Sequence, residues 1–424
     1  MKVKSFLCTA LLAVLSHTAL AGDTTENAGR RMINTEAGIS VPKGFKAVIV
    51  ADTLGIARHI TVNKNGDVYV KLGRLKNGKG IVRLRDKNGD GVADEVMSFG
   101  DFGGSGIALQ GDNLFATSDD AIYKFTLKNN DPANPDKPET IAKGLVNKRQ
   151  HASKTITLDN AGNIYVNIGA PSNVCQTQDR QKGSPGRMPC PILDSAGGIW
   201  QFRTNATDQT YAEGLRYATG LRNVVGLDWN DEVNELYGMQ HGRDMLFQWY
   251  PEMFDQKDGA ESPAEEMFRL KKGADAGWPY CYYDTKMKQK LLNPEYGGDR
   301  SKAGECSSKE QSVFQFPGHL APNALLFYTG NAFPAKYRNG AFIAFHGSWN
   351  RAPEPQEGYY VVFVPFKNGV PAGDWEIFAN HFAGENKEPG KAKYRPTGLA
   401  QGPDGSLYIS DDQKGRIWKV TYAK

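Results

Sequence analysis

Only five of the 424 residues are cysteine, and no two of them form a C-x-x-C pair. That absence argues against the usual structural zinc arrangements. There is no C-x-x-C-H either, so no c-type haem is attached to this chain. An excess of one charge is also missing. Lys+Arg 51 against Asp+Glu 47 leaves +4, too balanced for a polybasic nucleic-acid binder or a membrane-surface protein. Beyond the first 21 residues no apolar run reaches the ~18 residues needed for a membrane-spanning helix. The alternation of strand and helix patterns that marks a Rossmann fold or a barrel is absent. No G-x-G-x-x-G, Walker loop, G-x-S-x-G or H-E-x-x-H occurs in a fitting context.

What the chain does have is 47 glycines, 22 prolines, 20 Phe and 18 Tyr, a composition of many turns and many strands. Residues 1–21 carry a basic start at Lys2 and Lys4, an apolar run from Phe6 to Leu15, and Ala19-Leu20-Ala21. This reads as a secretory signal peptide cleaved after Ala21, and it predicts a periplasmic or secreted protein with a net charge near +2 after cleavage. The remaining cysteines, Cys175, Cys190, Cys281 and Cys306, then form two disulfides in an oxidising compartment. Of three connectivities, sequence proximity favours Cys175–Cys190 and Cys281–Cys306. Each closed loop contributes on the order of 3 kcal/mol.

A short pattern recurs: a polar or glycine turn, then an apolar–aromatic–apolar strand. Its aromatic markers are Tyr69, Phe115, Tyr165, Tyr237, Phe342 and Tyr408, spaced 46, 50, 72, 105 and 66 residues apart. Repeats of roughly 40–50 residues with about four strands each mean a β-propeller. Six copies predict an all-β, six-bladed β-propeller over residues 22–424. The longest gap predicts an insertion, with residues 250–330 as loop-rich decoration. Within it, Ser262 as N-cap, Pro263, Glu265 and the stop at Gly273 predict a short helix.

Several segments carry chemistry. Asp86, Asn88, Asp90 and Asp94 match the start of a calcium loop, but the twelfth position is Met97 and the flanks are strands. The segment fits either a bound Ca²⁺ or a solvated turn. His151 is a natural general base near neutral pH, or a structural histidine. Arg222-Asn223, Arg351 and the Lys393-Tyr394-Arg395 run are cations in loops of different blades. Converging at one propeller mouth, they suit a ligand with several carboxylates.

Taken in order, His151, Asn163–Gly169, Gly220–Leu227, Gly273–Pro279, His319–Pro322, Trp349-Asn350-Arg351 and Lys393-Tyr394-Arg395 resemble the soluble quinoprotein sugar dehydrogenases, especially the sorbosone dehydrogenase-like group. The resemblance runs from about Gly44 to Tyr422. It implies a six-bladed propeller using pyrroloquinoline quinone (PQQ) and Ca²⁺ to oxidise an aldose or sugar aldehyde, with electrons passing to a separate cytochrome or quinone acceptor. It implies His151 as catalytic base and Arg222 beside the quinone oxygen. Asn223 would hold the quinone, and Arg351, Lys393 and Arg395 would pair with the cofactor's carboxylates. The calcium would sit on the backbone carbonyls of His241 and Gly242. Two positions depart from the family: Ala170 stands where the glucose-oxidising relatives place a histidine-orienting aspartate, and His241-Gly242 replaces a glycine–proline pair. The early-blade cofactor contact falls in the region Gly103-Gly104-Ser105-Gly106. Two other readings fit a six-bladed propeller, a calcium-dependent lactonase and a glycan- or protein-binding module.

Overall fold

The computed structural model describes residues 32–423; the expected signal peptide lies outside them. Six antiparallel sheets follow one another along the chain. Blade one is Ala57–Val62, Val68–Lys76, Lys79–Arg85 and Glu95–Phe99. Blade two is Ile107–Gln110, Asn113–Thr117, Ile122–Lys128 and Glu139–Ala142. Blade three is Ile156–Leu158, Asn163–Ile168, Gly198–Arg203 and Leu215–Thr219. Blade four is Val224–Asn230, Glu235–Gln240, Glu265–Leu270 and Phe314–Phe316. Blade five is Pro322–Tyr328, Gly340–Phe345, Tyr360–Lys367 and Glu376–Ala379. Blade six is Pro396–Gln401, Leu407–Asp411 and Ile417–Tyr422, and its outer strand is Phe45–Ala51 from the start of the chain.

Each aromatic marker falls on the second strand of its blade and is buried. The alternation within each copy points the marker into the apolar layer between neighbouring sheets, which is where a propeller keeps its core. The first strand of every blade lines a central channel of about 450 Å³. Close approach of these inner strands has a steric condition. At Gly398, an added Cβ would come within 2.6 Å of the Arg58 carbonyl oxygen and 2.8 Å of the His59 Cα.

Blade four departs from expectation. Residues 265–270 are a strand, in antiparallel register with Leu236–Gln240, and the helix there is Gln256–Glu261, capped by Asp255. The capping-box pattern at Ser262 and Glu265 is overridden by tertiary pairing. Glu265 accepts from the amides of Gly242 and Ala321, and Glu266 pairs with Lys290 at 3.5 Å, so both carboxyl groups find partners inside the fold. The long insertions are therefore residues 241–264 and 271–313, on either side of that strand. A further insertion in blade three spans residues 169–197.

Both disulfides pair as sequence proximity favours, Cys175–Cys190 and Cys281–Cys306. Their loops pack on each other. Tyr296 Oη donates to Val174 O at 3.0 Å, and the Trp278 indole N–H donates to Asn173 O at 3.0 Å. Among the described residues no helix is long and apolar enough to cross a membrane.

The ring closes through Phe45. Its side chain is 2% exposed and packs edge-on against Phe333, Tyr337, Phe378 and Tyr422, joining the terminal strand to blade five. Phe45→Ala is expected to lower unfolding stability by about 3–5 kcal/mol, read by denaturant titration. A loss below about 1 kcal/mol would show that the closing strand is not held by this cluster.

Candidate functional site

One face of the propeller opens into a cavity of about 370 Å³ lined by, among others, Arg58, Asp119, Arg149, His151, Asn223 and His241. His151 stands at its wall in a left-handed conformation, φ 52°. Its Nδ1 lies 2.5 Å from the carbonyl oxygen of Ala170. A carbonyl only accepts, so Nδ1 carries the proton and Nε2 presents a lone pair. The backbone at Ala170 thus orients the histidine without a carboxylate. Burial and the nearby Arg222 cation pull the His151 pKa down to about 3, against the contact with Ala170, which raises it. Room for the ring depends on Gly169, where an added Cβ would sit 2.6 Å from the His151 Cβ and 2.8 Å from Asn223 Oδ1.

Arg222 is buried behind this wall. Nε donates to Asn173 O at 3.2 Å, and Nη1 to Gly242 O at 2.8 Å. Nη2 donates to Asn173 Oδ1 at 3.0 Å and to Asp244 Oδ2 at 2.8 Å. Four of the five guanidinium N–H groups are thereby engaged, and one on Nη1 is left for a ligand. Asp244 also receives Arg180 at 2.9 Å and Asn350 Nδ2 at 2.6 Å. Burial pushes its carboxyl up, but Arg222, His319 and Arg180 outweigh that and hold it well below the usual range. Asn223 Oδ1 accepts from Asn167 Nδ2 at 3.2 Å, which turns the Asn223 amide N–H groups toward other partners. His241 also lines the cavity, with Nε2 3.1 Å from Pro322 O.

A second hub lies beside the first. Asp412 binds Arg58 at 2.7 Å, His346 at 2.9 Å and Arg395 at 3.0 Å. Together His346, Arg58 and Arg395 overcome the effect of burial and hold its carboxyl low. Arg395 therefore reaches the cavity wall through Asp412, and its Nε is buried without a partner. Glu265 sits beneath, pushed up to about 7 by burial. Because its folded pKa is raised, its contribution to stability is present below the ordinary carboxylate pKa and is lost as pH rises through about 7.

Other expected positions lie elsewhere. The Arg351 guanidinium is directed inward onto Ala260 O, Gly318 O, Pro355 O and Glu261, where it braces the blade-four insertion and does not line the cavity. Lys393 is exposed, with Nζ 5.5 Å from the Tyr394 ring. In the Asp86 loop, Asp86 accepts from the amides of Gly89 and Gly91, Asp90 from Val92, and Asp94 from Lys87 and Asn88. The loop is a set of side-chain-stabilised turns on the outer part of blade one. Among the described residues no group of three or more His, Cys, Asp or Glu is placed to hold a metal ion. Sequence reasoning missed Arg149, Asp119, Asp244, Asp412 and His346. The strand-end position of Ser118-Asp119-Asp120 and Ser410-Asp411-Asp412, after the marker strand of each repeat, was the signal available for two of them.

The chain as a whole is similar to known proteins. A protein from Borreliella burgdorferi is 26% identical over 404 residues, covering 91% of each chain. The pyrroloquinoline quinone-dependent pyranose dehydrogenase of Coprinopsis cinerea is 24% identical over 90% of this chain, which spans about half (54%) of that protein's length. The solved PQQ domain of the C. cinerea pyranose dehydrogenase in its holo form superposes with a TM-score of 0.70 at 22% identity, covering 93% of this chain and 97% of that one. A calcium structure of the Trichoderma reesei family AA12 carbohydrate-active enzyme gives 0.72 at 18% identity, covering 92% and 98%. These structural likenesses show the fold. Residues 39–423, nearly the whole described propeller, match the TrAA12-like family model, and the chain belongs to that family.

Proposed function

We propose that the chain is a PQQ-dependent oxidoreductase of sugars, acting on an aldose or sugar aldehyde and passing electrons to a separate cytochrome or quinone. The observation that carries the reading is His151, held by Ala170 O with Nε2 open, beside the clamped Arg222. The donor set suits a planar quinone with several carboxylates. Arg149 lines the cavity without an ion pair or hydrogen-bond partner among the described residues. Arg222 keeps one N–H, the Asn223 amide is oriented, and the buried Arg395 Nε lacks an acceptor. Bound there, PQQ would supply the two-electron acceptor that the amino acids lack.

In this reading Nε2 of His151 takes the hydroxyl proton of the sugar. The Arg222 charge stabilises the negative charge that develops near it, and its fixed hydrogen bonds remove the need to reorganise. Arg58, Arg149 and Arg395 anchor carboxylates, and Arg351 and Lys393 leave the set. Calcium fits less well. Side-chain ligands do not converge, and the Gly242 carbonyl already accepts from Arg222. A cation there would compete with the guanidinium for one oxygen, so no step is derived through it. Two disulfides, together with the leader-like pattern of residues 1–21, support a periplasmic or secreted location.

The test is reconstitution. The chain is titrated with PQQ, with and without Ca²⁺, and binding is followed by absorbance. Aldoses and sugar aldehydes are then supplied with a dye acceptor. Stoichiometric uptake with dye reduction is expected, and no uptake would overturn the reading. His151→Asn is expected to slow turnover by roughly 10²–10⁴ with PQQ affinity little changed; unchanged turnover removes His151 from the chemistry. Burial and Arg222 keep the imidazole neutral, so in the protein without added PQQ its ring NMR signals are expected to stay constant from about pH 5 to 8. A midpoint near 6.5 would show an exposed, unperturbed histidine.

A further inference from the structure

Asp119 is a carboxylate that the proposed chemistry leaves unused. It lies just after the marker strand of blade two, in the turn before Ile122–Lys128, and lines the same cavity as His151. Its neighbour Asp120 accepts from the Ser118 hydroxyl at 2.7 Å. Asp119 itself has no hydrogen bond or ion pair through its side chain among the described residues.

Two buried ammonium groups flank it from the adjoining blades. Lys71 of blade one donates to the carbonyls of Gly80 at 3.0 Å and Phe102 at 2.6 Å. Lys154, just before the inner strand of blade three, donates to Ala152 O at 2.5 Å. Both are fully buried, and among the described residues neither pairs with a carboxylate. Burial pulls Lys71 down to about 7 and Lys154 to about 8, and Asp119 is the leading charge that opposes the fall in each. Both lysines lie near enough to interact with the Asp119 carboxylate, and among the described residues neither occupies its oxygens. A carboxylate on a cavity wall, with its lone pairs open, is suited to accept from two adjacent hydroxyls.

We propose that Asp119 recognises the sugar: its two oxygens accept hydrogen bonds from a pair of ring hydroxyls and thereby set which pyranose is held against His151. This rests on the sugar-oxidising reading. It adds a specificity-determining residue on the blade-two side of the cavity, facing substrate and not cofactor.

The test uses Asp119→Asn, which keeps the shape and removes the charge and one acceptor. Three quantities are compared with the parent: PQQ uptake by absorbance, sugar affinity by calorimetric titration, and KM and kcat with the dye acceptor. The expected result is sugar affinity and KM weakened by roughly tenfold or more, with PQQ uptake unchanged and kcat within a few-fold. A series of monodeoxy sugars sharpens it. For the sugar lacking a recognised hydroxyl, parent and variant should show equal KM, which a merely structural role would not produce. Unchanged KM overturns the proposal. So does a variant that loses thermal stability and PQQ uptake while keeping its KM, because Asp119 would then only balance Lys71 and Lys154. If the parent takes up no PQQ, the dehydrogenase reading fails. Calorimetry still judges Asp119 by itself: sugar binding weakened in the variant supports it, and equal or absent binding overturns it.

Discussion

Burying the Arg222 guanidinium is the constraint around which the open face of this propeller is arranged. A charge removed from water is costly unless a counter-charge and a nearly complete set of acceptors surround it. Here those acceptors come from separate segments: Asn173 from the blade-three insertion, and Gly242 and Asp244 from blade four, with Asp244 held in turn by Asn350 of blade five. Asn173 O also receives the Trp278 indole. Residues just ahead of each disulfide thus bear on the arginine, and its charge adds to burial in keeping the neighbouring histidine neutral.

The same face sorts its carboxylates by surroundings. Asp244 and Asp412 each meet several cations and stay ionised. Glu265 meets mainly backbone amides and retains a proton to about pH 7. His151 and His241 are kept neutral by burial. A fixed pattern of charged and neutral groups is what a site needs if it is to bind an anion and still offer a basic nitrogen.

The repeat was legible because one aromatic per blade must enter the core, and that demand recurs at Tyr69, Phe115, Tyr165, Tyr237, Phe342 and Tyr408 whatever lies between. The disulfides were legible because their loops are short. The helix at 262–273 was misread because local capping chemistry is indistinguishable from a strand whose glutamates are satisfied by distant partners. Arg351 shows the corresponding limit at the site: residue type and blade position say that a cation is near the mouth, but not which way its side chain turns. Asp412 and Asp119 were hidden for the same reason, since an aspartate after a strand is ordinary until the neighbouring blades supply its surroundings. The Ala170 carbonyl was invisible in a different way, because any residue carries one.

The pairing of Phe45–Ala51 with Ile417–Tyr422 also has a kinetic side. Loop-closure entropy must be met before such a distant contact returns any stability. Until the last strand is available, blade six lacks its partner, and the aromatic faces around Phe333 and Phe378 stay open to water. Assembly of the ring is therefore governed by the meeting of the two ends. A chain halted a few strands early would expose a sheet edge and an apolar layer together, the combination that favours association with other chains over completion of its own fold.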